Sequence, residues 1–174
     1  AYLCDPDSRL FGTAASTGYM RFTDPGVAKL PRVEAVEKLQ GKRPKVVDDL
    51  RRALDDKSVD AICVSTPDHW HALAPVWGCQ AGKHVYVEKP SSHTPWAGRK
   101  MVEAQADSKQ IVAVGLNRRG NLVYQQLARD VQAGKIGKVS VARAARISNM
   151  YPDGIGKYQP EDPPKDFDWD MWLG

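Results

Sequence analysis

This chain of 174 residues has no long apolar run and only three cysteines. No apolar run approaches the roughly 20 residues that a membrane-spanning helix needs, so we predict no membrane partner. The three cysteines, Cys4, Cys63 and Cys79, are odd in number and show no C-x-x-C spacing. We therefore expect buried free thiols, which suit a reducing compartment.

No charge of one sign dominates either. The chain has 25 Lys and Arg against 21 Asp and Glu, and the basic residues are scattered among the acids. Such mixing is typical of a solvated surface, so we predict no nucleic-acid partner. A hydrophobic share of 42% and a charged share of 26% are near the averages for globular domains, which excludes disordered and fibrous classes. The length suits roughly one domain with its own core.

The first residues, "AYLCDPD", contain no initiator Met and no signal-peptide pattern. We therefore expect residue 1 to lie inside a fold.

Strand and helix patterns alternate along the chain. Short apolar runs predict strands at residues 1–4, 45–47, 60–65, 84–87, 111–115 and 138–147. Helical spacing and capping residues predict helices at about 33–40, 50–54, 71–81, 95–108 and 121–133. Glycines at 41, 82 and 134 are placed to end three of these helices. Repeated strand-helix-strand units predict a doubly wound α/β fold with a parallel sheet.

Ligands of such sheets bind at the carboxyl ends of the strands. Four stretches occupy these positions: Asp5, then "STPDHWH", "EKP" and "NRR". Asp5 has two equally weighted interpretations, a ribose 2'-hydroxyl acceptor that favours NAD, or a cap of the turn in "DPDS". Arg9 would instead suit the 2'-phosphate of NADP. A glycine-rich G-x-G-x-x-G should precede such an acid by about 20 residues, and we expect none here because the chain begins at the strand itself.

Several stretches together resemble one family: "CDPD", "VDAICVSTPDHWHALAPVWGCQAGKHVYVEKPSSHTPWAGRKMVEA", "VAVGLNRRG", "GKIGKV" and "DFDWDMWLG". They are similar to the glucose-fructose oxidoreductase and inositol dehydrogenase family, Gfo/Idh/MocA. The resemblance implies an amino-terminal Rossmann domain that binds NAD or NADP and a carboxyl-terminal α+β domain that binds a sugar or polyol. It would make residues 1–119 a truncated Rossmann domain and residues 120–174 a linker helix with the beginning of the second domain.

The resemblance implies a cofactor-binding turn after the third strand, which matches the family's T-P-x-x-x-H. The implied contacts come from this turn and are Ser65, Thr66, Pro67, Asp68, His69, Trp70 and His71. Backbone N–H groups and a hydroxyl in such a turn suit ribose and phosphate oxygens. The H-x-H spacing leaves zinc binding as an alternative, but no supporting carboxylate or thiolate accompanies it, so we predict no metal.

The triplet Glu88, Lys89 and Pro90 matches the family's E-K-P, which lies beside the nicotinamide. By resemblance, Lys89 is the catalytic residue that exchanges the alcohol proton, Glu88 holds its ammonium, and Pro90 fixes the turn. For an isolated triplet, an incidental ion pair at a turn is the alternative. Asn117 matches a cofactor-contacting position near the nicotinamide. Arg119 matches a family arginine whose role in substrate binding or in loop structure stays open.

Family members complete catalysis with a histidine on the second domain, and the four histidines here all precede it. We therefore expect the longer parent to be an NAD(P)-dependent oxidoreductase of sugars or polyols and the chain alone to be nearly inactive. An NAD-dependent glycoside hydrolase and a non-catalytic NAD-binding protein are the alternatives. The resemblance also implies a homo-oligomer at full length. We expect a cytoplasmic protein, with export through a preceding twin-arginine signal as the open alternative.

Overall fold

The computed structural model describes residues 1–12, 30–145 and 159–174. They form two compact units. The first contains residues 1–115 and 163–174, and the second contains residues 116–162. The predicted domain division at residue 119 stays a prediction about the intact protein.

Parallel strands and intervening helices make up the first unit. Its strands are β1 (Tyr2–Cys4), β2 (Lys45–Val47), β3 (Ala61–Val64), β4 (His84–Glu88) and β5 (Val112–Gly115). Its helices are α1 (Arg32–Gln40), α2 (Leu50–Leu54), α3 (Leu73–Gln80), α4 (Pro95–Asp107) and, near the end of the chain, α6 (Trp169–Leu173). Two 3-10 turns complete it, at Ser8–Gly12 and Asp68–Trp70. The second unit contains α5 (Leu122–Gln132).

All strand pairing in the described residues is parallel. β1 pairs with β2 in a two-stranded sheet, and β3, β4 and β5 follow one another in a three-stranded sheet. In the larger sheet Val64 pairs with Val87, and Glu88 pairs with Gly115. This register brings the carboxyl ends of three strands to one edge, as a doubly wound fold requires.

The core lies between the three-stranded sheet and helices α3 and α4. Its buried members share an apolar side chain, and they are Val64, Ala74, Val85, Val87 and Met101. Gly78 on α3 shows how closely the helix approaches the sheet. A Cβ atom there would lie 2.8 Å from Cγ2 of Val85 and 3.0 Å from Cδ1 of Ile62. The close contact fixes α3, and with it the turn that leads from β3 into this helix.

Capping residues mark the helix ends where the sequence predicts them. Asp49 accepts a hydrogen bond from the N–H of Arg51 at the start of α2, and Thr94 accepts one from Ala97 at the start of α4. Gly41 and Gly82 adopt positive φ after α1 and α3. The predictions succeed here because caps depend on hydrogen bonds between close neighbours in sequence.

Two predictions are wrong in the described residues. Residues 138–145 of the predicted sixth strand have no regular secondary structure, since no described strand pairs with them, and residues 146 and 147 lie outside the description. Cys79 is buried as expected, but Cys4 and Cys63 are exposed. Both belong to strands that line a cavity, and an apolar run alone does not tell which face of a strand is covered.

Among the described helices, none has both the length and the apolar character that crossing a membrane would require.

Candidate functional site

The turn after β3 carries most of the predicted cofactor contacts. Ser65, Thr66, Pro67 and Asp68 are exposed, His69 is half-buried, and Trp70 is buried. The chain folds into a 3-10 turn here because Trp70 N–H donates to the Pro67 carbonyl at 3.1 Å. The first residues of the turn therefore offer their polar groups to solvent, while the last ones anchor it.

The buried side chain of His71 contacts the backbone of this turn. Its side chain is 2% exposed, and both ring nitrogens lie near backbone carbonyl oxygens. Nε2 is 2.9 Å from the oxygen of Thr66, and Nδ1 is 2.5 Å from the oxygen of Pro90. The imidazole thus contacts the turn after β3 and the turn after β4 at once, and no ring nitrogen faces the surface.

The aromatic segment near the chain end contacts the same turn. Nε2 of His69 donates to the Trp172 carbonyl at 2.7 Å, and Nε1 of Trp70 donates to the same oxygen at 3.3 Å. The Trp172 and Trp169 rings stack at 5.2 Å with an interplanar angle of 8°. These two tryptophans are not among the predicted site residues. The "DFDWDMWLG" stretch was the available signal, because it formed part of the family resemblance.

The Glu-Lys-Pro triplet follows the last position of β4. Glu88 is half-buried, and Lys89 and Pro90 are exposed, with a cis peptide bond between them. Among the described residues Lys89 forms no ion pair and no side-chain hydrogen bond. The expected pairing of Glu88 with the ammonium is therefore absent from the described structure. The Lys89 ammonium is left available to an external group.

Gly115, which pairs with Glu88 across β4 and β5, leaves space for two polar side chains. A Cβ atom at this position would lie 2.4 Å from Oη and 2.8 Å from Cζ of Tyr86, and 3.1 Å from Oε2 of Glu88. The glycine lets the phenol and the carboxylate occupy the end of the sheet. Tyr86 was not among the predicted site residues. Buried and exposed side chains alternate along β4, and this pattern does not indicate which exposed side chain belongs to a site.

Asp5 lies at the carboxyl end of β1, as predicted. Its Oδ1 accepts a hydrogen bond from the N–H of Asp7 at 2.9 Å, which is the turn-capping interpretation. Its Oδ2 has no hydrogen bond to another described residue, so an acceptor remains for a ribose hydroxyl. Burial raises the pKa of Asp5 above the ordinary aspartate value, and the Asp7 N–H and Arg32 act against this rise.

Arg9 is already paired within the chain. Its Nε lies 2.7 Å from Oδ1 of Asp7, and its Nη2 lies 2.6 Å from Oδ2, which is a bidentate ion pair. The hydrogen bond from Arg9 lowers the pKa of Asp7 below the ordinary value. The carboxylate of Asp7 thus competes for the guanidinium that would otherwise suit a 2'-phosphate.

A cavity of about 1410 Å³ in the first unit joins several of these positions. β1 and β3 both contribute to its lining, together with Asp5 and the aromatic end segment. The site residues that line it are Asp5, Ser65, Thr66, Pro67 and Trp70. The triplet at the end of β4 does not line it, so the predicted residues divide between the cavity and the neighbouring sheet edge.

Two further sequence hypotheses concern Asn117 and zinc. Asn117 is exposed in the turn at residues 117–120, which belongs to the second unit. The zinc alternative required two ligands from His69 and His71, but both nitrogens of His71 are engaged by carbonyl groups. No group of three or more His, Cys, Asp or Glu side chains suited to a metal occurs in the part of the chain that the structure describes.

The donors and acceptors present fit a dinucleotide. The free oxygen of Asp5 matches a ribose hydroxyl, and the exposed hydroxyls of Ser65 and Thr66 match ribose or phosphate oxygens. Lys89 adds an exposed cation beside them, at the end of the adjacent parallel strand. This chemistry agrees with a nucleotide cofactor that extends along the carboxyl edge of the sheet.

Known proteins are similar in sequence to this chain. The model of the oxidoreductase family with an NAD-binding Rossmann fold, GFO_IDH_MocA, matches residues 17–116, more than half of the chain. Levoglucosan dehydrogenase of Pseudarthrobacter phenanthrenivorans is 27% identical over 105 residues, which cover 60% of this chain and 27% of that protein. Inositol 2-dehydrogenase 2 of Saccharopolyspora erythraea is 31% identical over 103 residues, covering 59% of this chain and 30% of that protein.

A solved structure agrees with these matches. The WlbA dehydrogenase from Bordetella pertussis, in complex with NADH and UDP-GlcNAcA, superimposes with a TM-score of 0.53 at 27% identity. The match covers 67% of this chain and 32% of that one, so the chain spans less than a third of the length of these relatives. The predicted Rossmann fold is confirmed, and the NAD(P) cofactor is confirmed at the level of the family. The chain belongs to the Gfo/Idh/MocA oxidoreductases with an NAD-binding Rossmann fold.

Proposed function

We propose that the intact protein transfers a hydride between a nicotinamide cofactor and a secondary alcohol of a sugar or polyol. Levoglucosan dehydrogenase and the inositol dehydrogenase support this substrate class by their names. The observation that carries the proposal is the position of Lys89. It is exposed and unpaired among the described residues, and it follows a strand adjacent to the strand that leads into the T-P-D-H turn.

In its neutral amine form, Lys89 would accept the hydroxyl proton on its Nζ lone pair as the alcohol is oxidised, and it would become an ammonium. The C–H bond of the carbinol carbon breaks with its electron pair, the O–H bond loses its proton, and a carbonyl group forms. A bound nicotinamide supplies the acceptor for the hydride. A flexible side chain without a protein partner can reach an external hydroxyl, and its amine can exchange a proton with it.

The other residues would bind and orient. Asp5 would hold a ribose hydroxyl through Oδ2, which its turn-capping bond leaves free. Ser65 and Thr66 would contact the cofactor with hydroxyl and backbone groups. Glu88 would border the same edge of the sheet, because it is the last residue of β4. It forms no ion pair with Lys89 in the described structure. Homo-oligomer formation and a cytoplasmic location stay predictions for the intact protein.

The test is reduction of NAD and NADP by the intact protein with a panel of sugars and polyols, followed through the absorbance of the reduced nicotinamide. We expect turnover with at least one of these alcohols. Binding of NAD without turnover would favour a sensor, and release of a chromophore from an aryl glycoside would favour a hydrolase. Failure to bind either cofactor would contradict the proposal.

A further inference from the structure

The buried imidazole of His71 has an unusual set of neighbours. Its Nδ1 and Nε2 lie 2.5 Å and 2.9 Å from the carbonyl oxygens of Pro90 and Thr66. Both neighbours are backbone carbonyls, which can only accept hydrogen bonds. Each ring nitrogen must therefore donate a proton for both contacts to be hydrogen bonds.

A neutral imidazole cannot satisfy both carbonyl groups. It carries one N–H, and its second nitrogen presents a lone pair. In either neutral tautomer of His71, one lone pair would face a carbonyl oxygen at 2.9 Å or less, which is a repulsive contact. Turning the ring by 180° would not help, because ring carbons would replace both nitrogens.

We propose that His71 is a doubly protonated imidazolium that joins the turn after β3 to the turn after β4. Thr66 lies in the T-P-D-H turn, and Pro90 directly follows Lys89. The two hydrogen bonds thus fix the residue next to Lys89 relative to the turn proposed to hold the cofactor. His71 is a positioning residue in this arrangement, and its effect on catalysis rests on the proposed function.

The surroundings of His71 determine how such a cation is accommodated. Asp68 and His69 lie on its own turn, and Glu88, Lys89 and His93 belong to the β4 end and the turn that follows. Helix α3 carries no Asp, Glu, Lys, Arg or His. In the described structure none of these side chains forms a hydrogen bond or an ion pair with the ring. The two carbonyl groups therefore supply its stabilisation, and bonds from a charged donor are stronger than those from a neutral one.

Nitrogen-15 NMR of the intact protein, labelled at histidine, tests the protonation state directly. We expect His71 to show a bonded proton on each ring nitrogen at neutral pH, with its signals assigned by their loss in His71→Gln. A wild-type spectrum in which one nitrogen of His71 lacks a proton at neutral pH would overturn the proposal. This result does not depend on any enzymatic activity, so failure of the proposed function would leave the test decisive.

The positioning role has its own readout. His71→Gln can donate from only one end of its side chain, and we expect kcat to fall about tenfold, the value of one hydrogen bond from a charged donor. The matched control is His93→Gln, since His93 is exposed and unbonded among the described residues, and it should retain the wild-type kcat. Equal kcat values in folded His71→Gln and wild type would contradict the positioning role, while the NMR spectrum of the wild type still decides the charge.

Discussion

The two ends of the proposed cofactor site are built differently. The end near β3 and β4 is held by a three-stranded sheet, by the imidazole of His71 and by the carbonyl of Trp172. The end near β1 rests on a two-stranded sheet, where the side-chain hydrogen bonds of Asp5 and Arg9 reach only two residues along the chain. The backbone of this end does bond to distant residues, since Asp5 N–H donates to the Val47 carbonyl at 3.1 Å and Asp168 N–H donates to the Pro6 carbonyl at 3.0 Å. Side-chain hydrogen bonds between distant residues thus help to fix the lysine end, whereas the side chains of Asp5 and Arg9 bond only to near neighbours.

This difference suggests a division of work. Hydride transfer needs the reacting groups held in narrow geometry, and a sheet edge with bonds between two turns supplies that. Recognition of a ribose hydroxyl needs a hydrogen-bond acceptor at the right position. The turn capped by Oδ1 of Asp5 supplies one in Oδ2 of the same carboxylate. We therefore expect changes at the first end to affect rate and folding, and changes at the second to affect cofactor affinity and choice.

The largest expected effect is that of Lys89→Ala in the intact protein. Loss of the proton acceptor should lower kcat by about 10²- to 10⁴-fold, with NAD affinity kept, because the ammonium has no structural partner among the described residues. Steady-state kinetics and a binding titration measure the two quantities separately. Lys109→Ala, another exposed and unpaired lysine in the described part of the chain, is the control. A wild-type kcat in Lys89→Ala would remove the lysine from the mechanism.

Gly115→Ala should produce the next largest effect, on folding. The new methyl group would meet the Tyr86 phenol at 2.4 Å, and we expect the free energy of unfolding to fall by about 1 to 3 kcal/mol. Urea denaturation measures this change.

Gly12→Ala is the matched control for Gly115→Ala. It lies near the Asp5 end, where a Cβ atom would meet no atom of the described residues within 4 Å. It should leave stability nearly unchanged. Equal losses in the two variants would mean that the close packing of the β5 end is not what the alanine disturbs.

Sequence reasoning succeeded where contacts are local. Thr94, Asp49 and Gly41 mark helix ends through hydrogen bonds or φ angles that a few neighbouring residues determine. The same reasoning gave both interpretations of Asp5, and the structure uses one oxygen for the turn and leaves the other available. The candidate residues came from motifs at strand ends, which parallel sheets collect at one edge.

It failed where strand pairing, the direction of a side chain or a distant partner decides. The run at residues 138–145 has strand composition, but no described strand pairs with it. Glu88 and Lys89 are adjacent in sequence, yet adjacent residues at a strand end point in different directions, and no ion pair forms in the described structure. The double contact of His71 depends on Pro90, 19 residues later, and no spacing rule predicts it.

At the other end of the site, Asp5→Asn should change cofactor choice. Removing the carboxylate weakens the acceptor for the ribose hydroxyl of NAD and removes its repulsion of a 2'-phosphate. We expect the ratio of the NAD and NADP dissociation constants to move about tenfold toward NADP. Asp55→Asn, the same exchange at an exposed aspartate, is the control and should leave the ratio unchanged. An unchanged ratio in Asp5→Asn would leave this carboxylate only its turn-capping role.

The smallest expected effect is a pH dependence of NAD affinity. Burial raises the pKa of Asp5, so its carboxylate takes up a proton at a higher pH than an ordinary aspartate does. The pKa of an ordinary aspartate is about 3.9. The ionised form is the better acceptor of the ribose hydrogen bond, so affinity should be complete above this pKa and should weaken, by less than about tenfold, as the pH falls through it. Titrations of NAD at several acidic pH values, with circular dichroism at each to verify folding, measure this effect. In Asp5→Asn the same curve should be flatter, because the amide does not titrate. Parallel curves for the variant and the wild type would assign the pH dependence to another group and would separate Asp5 from the ribose end of the site.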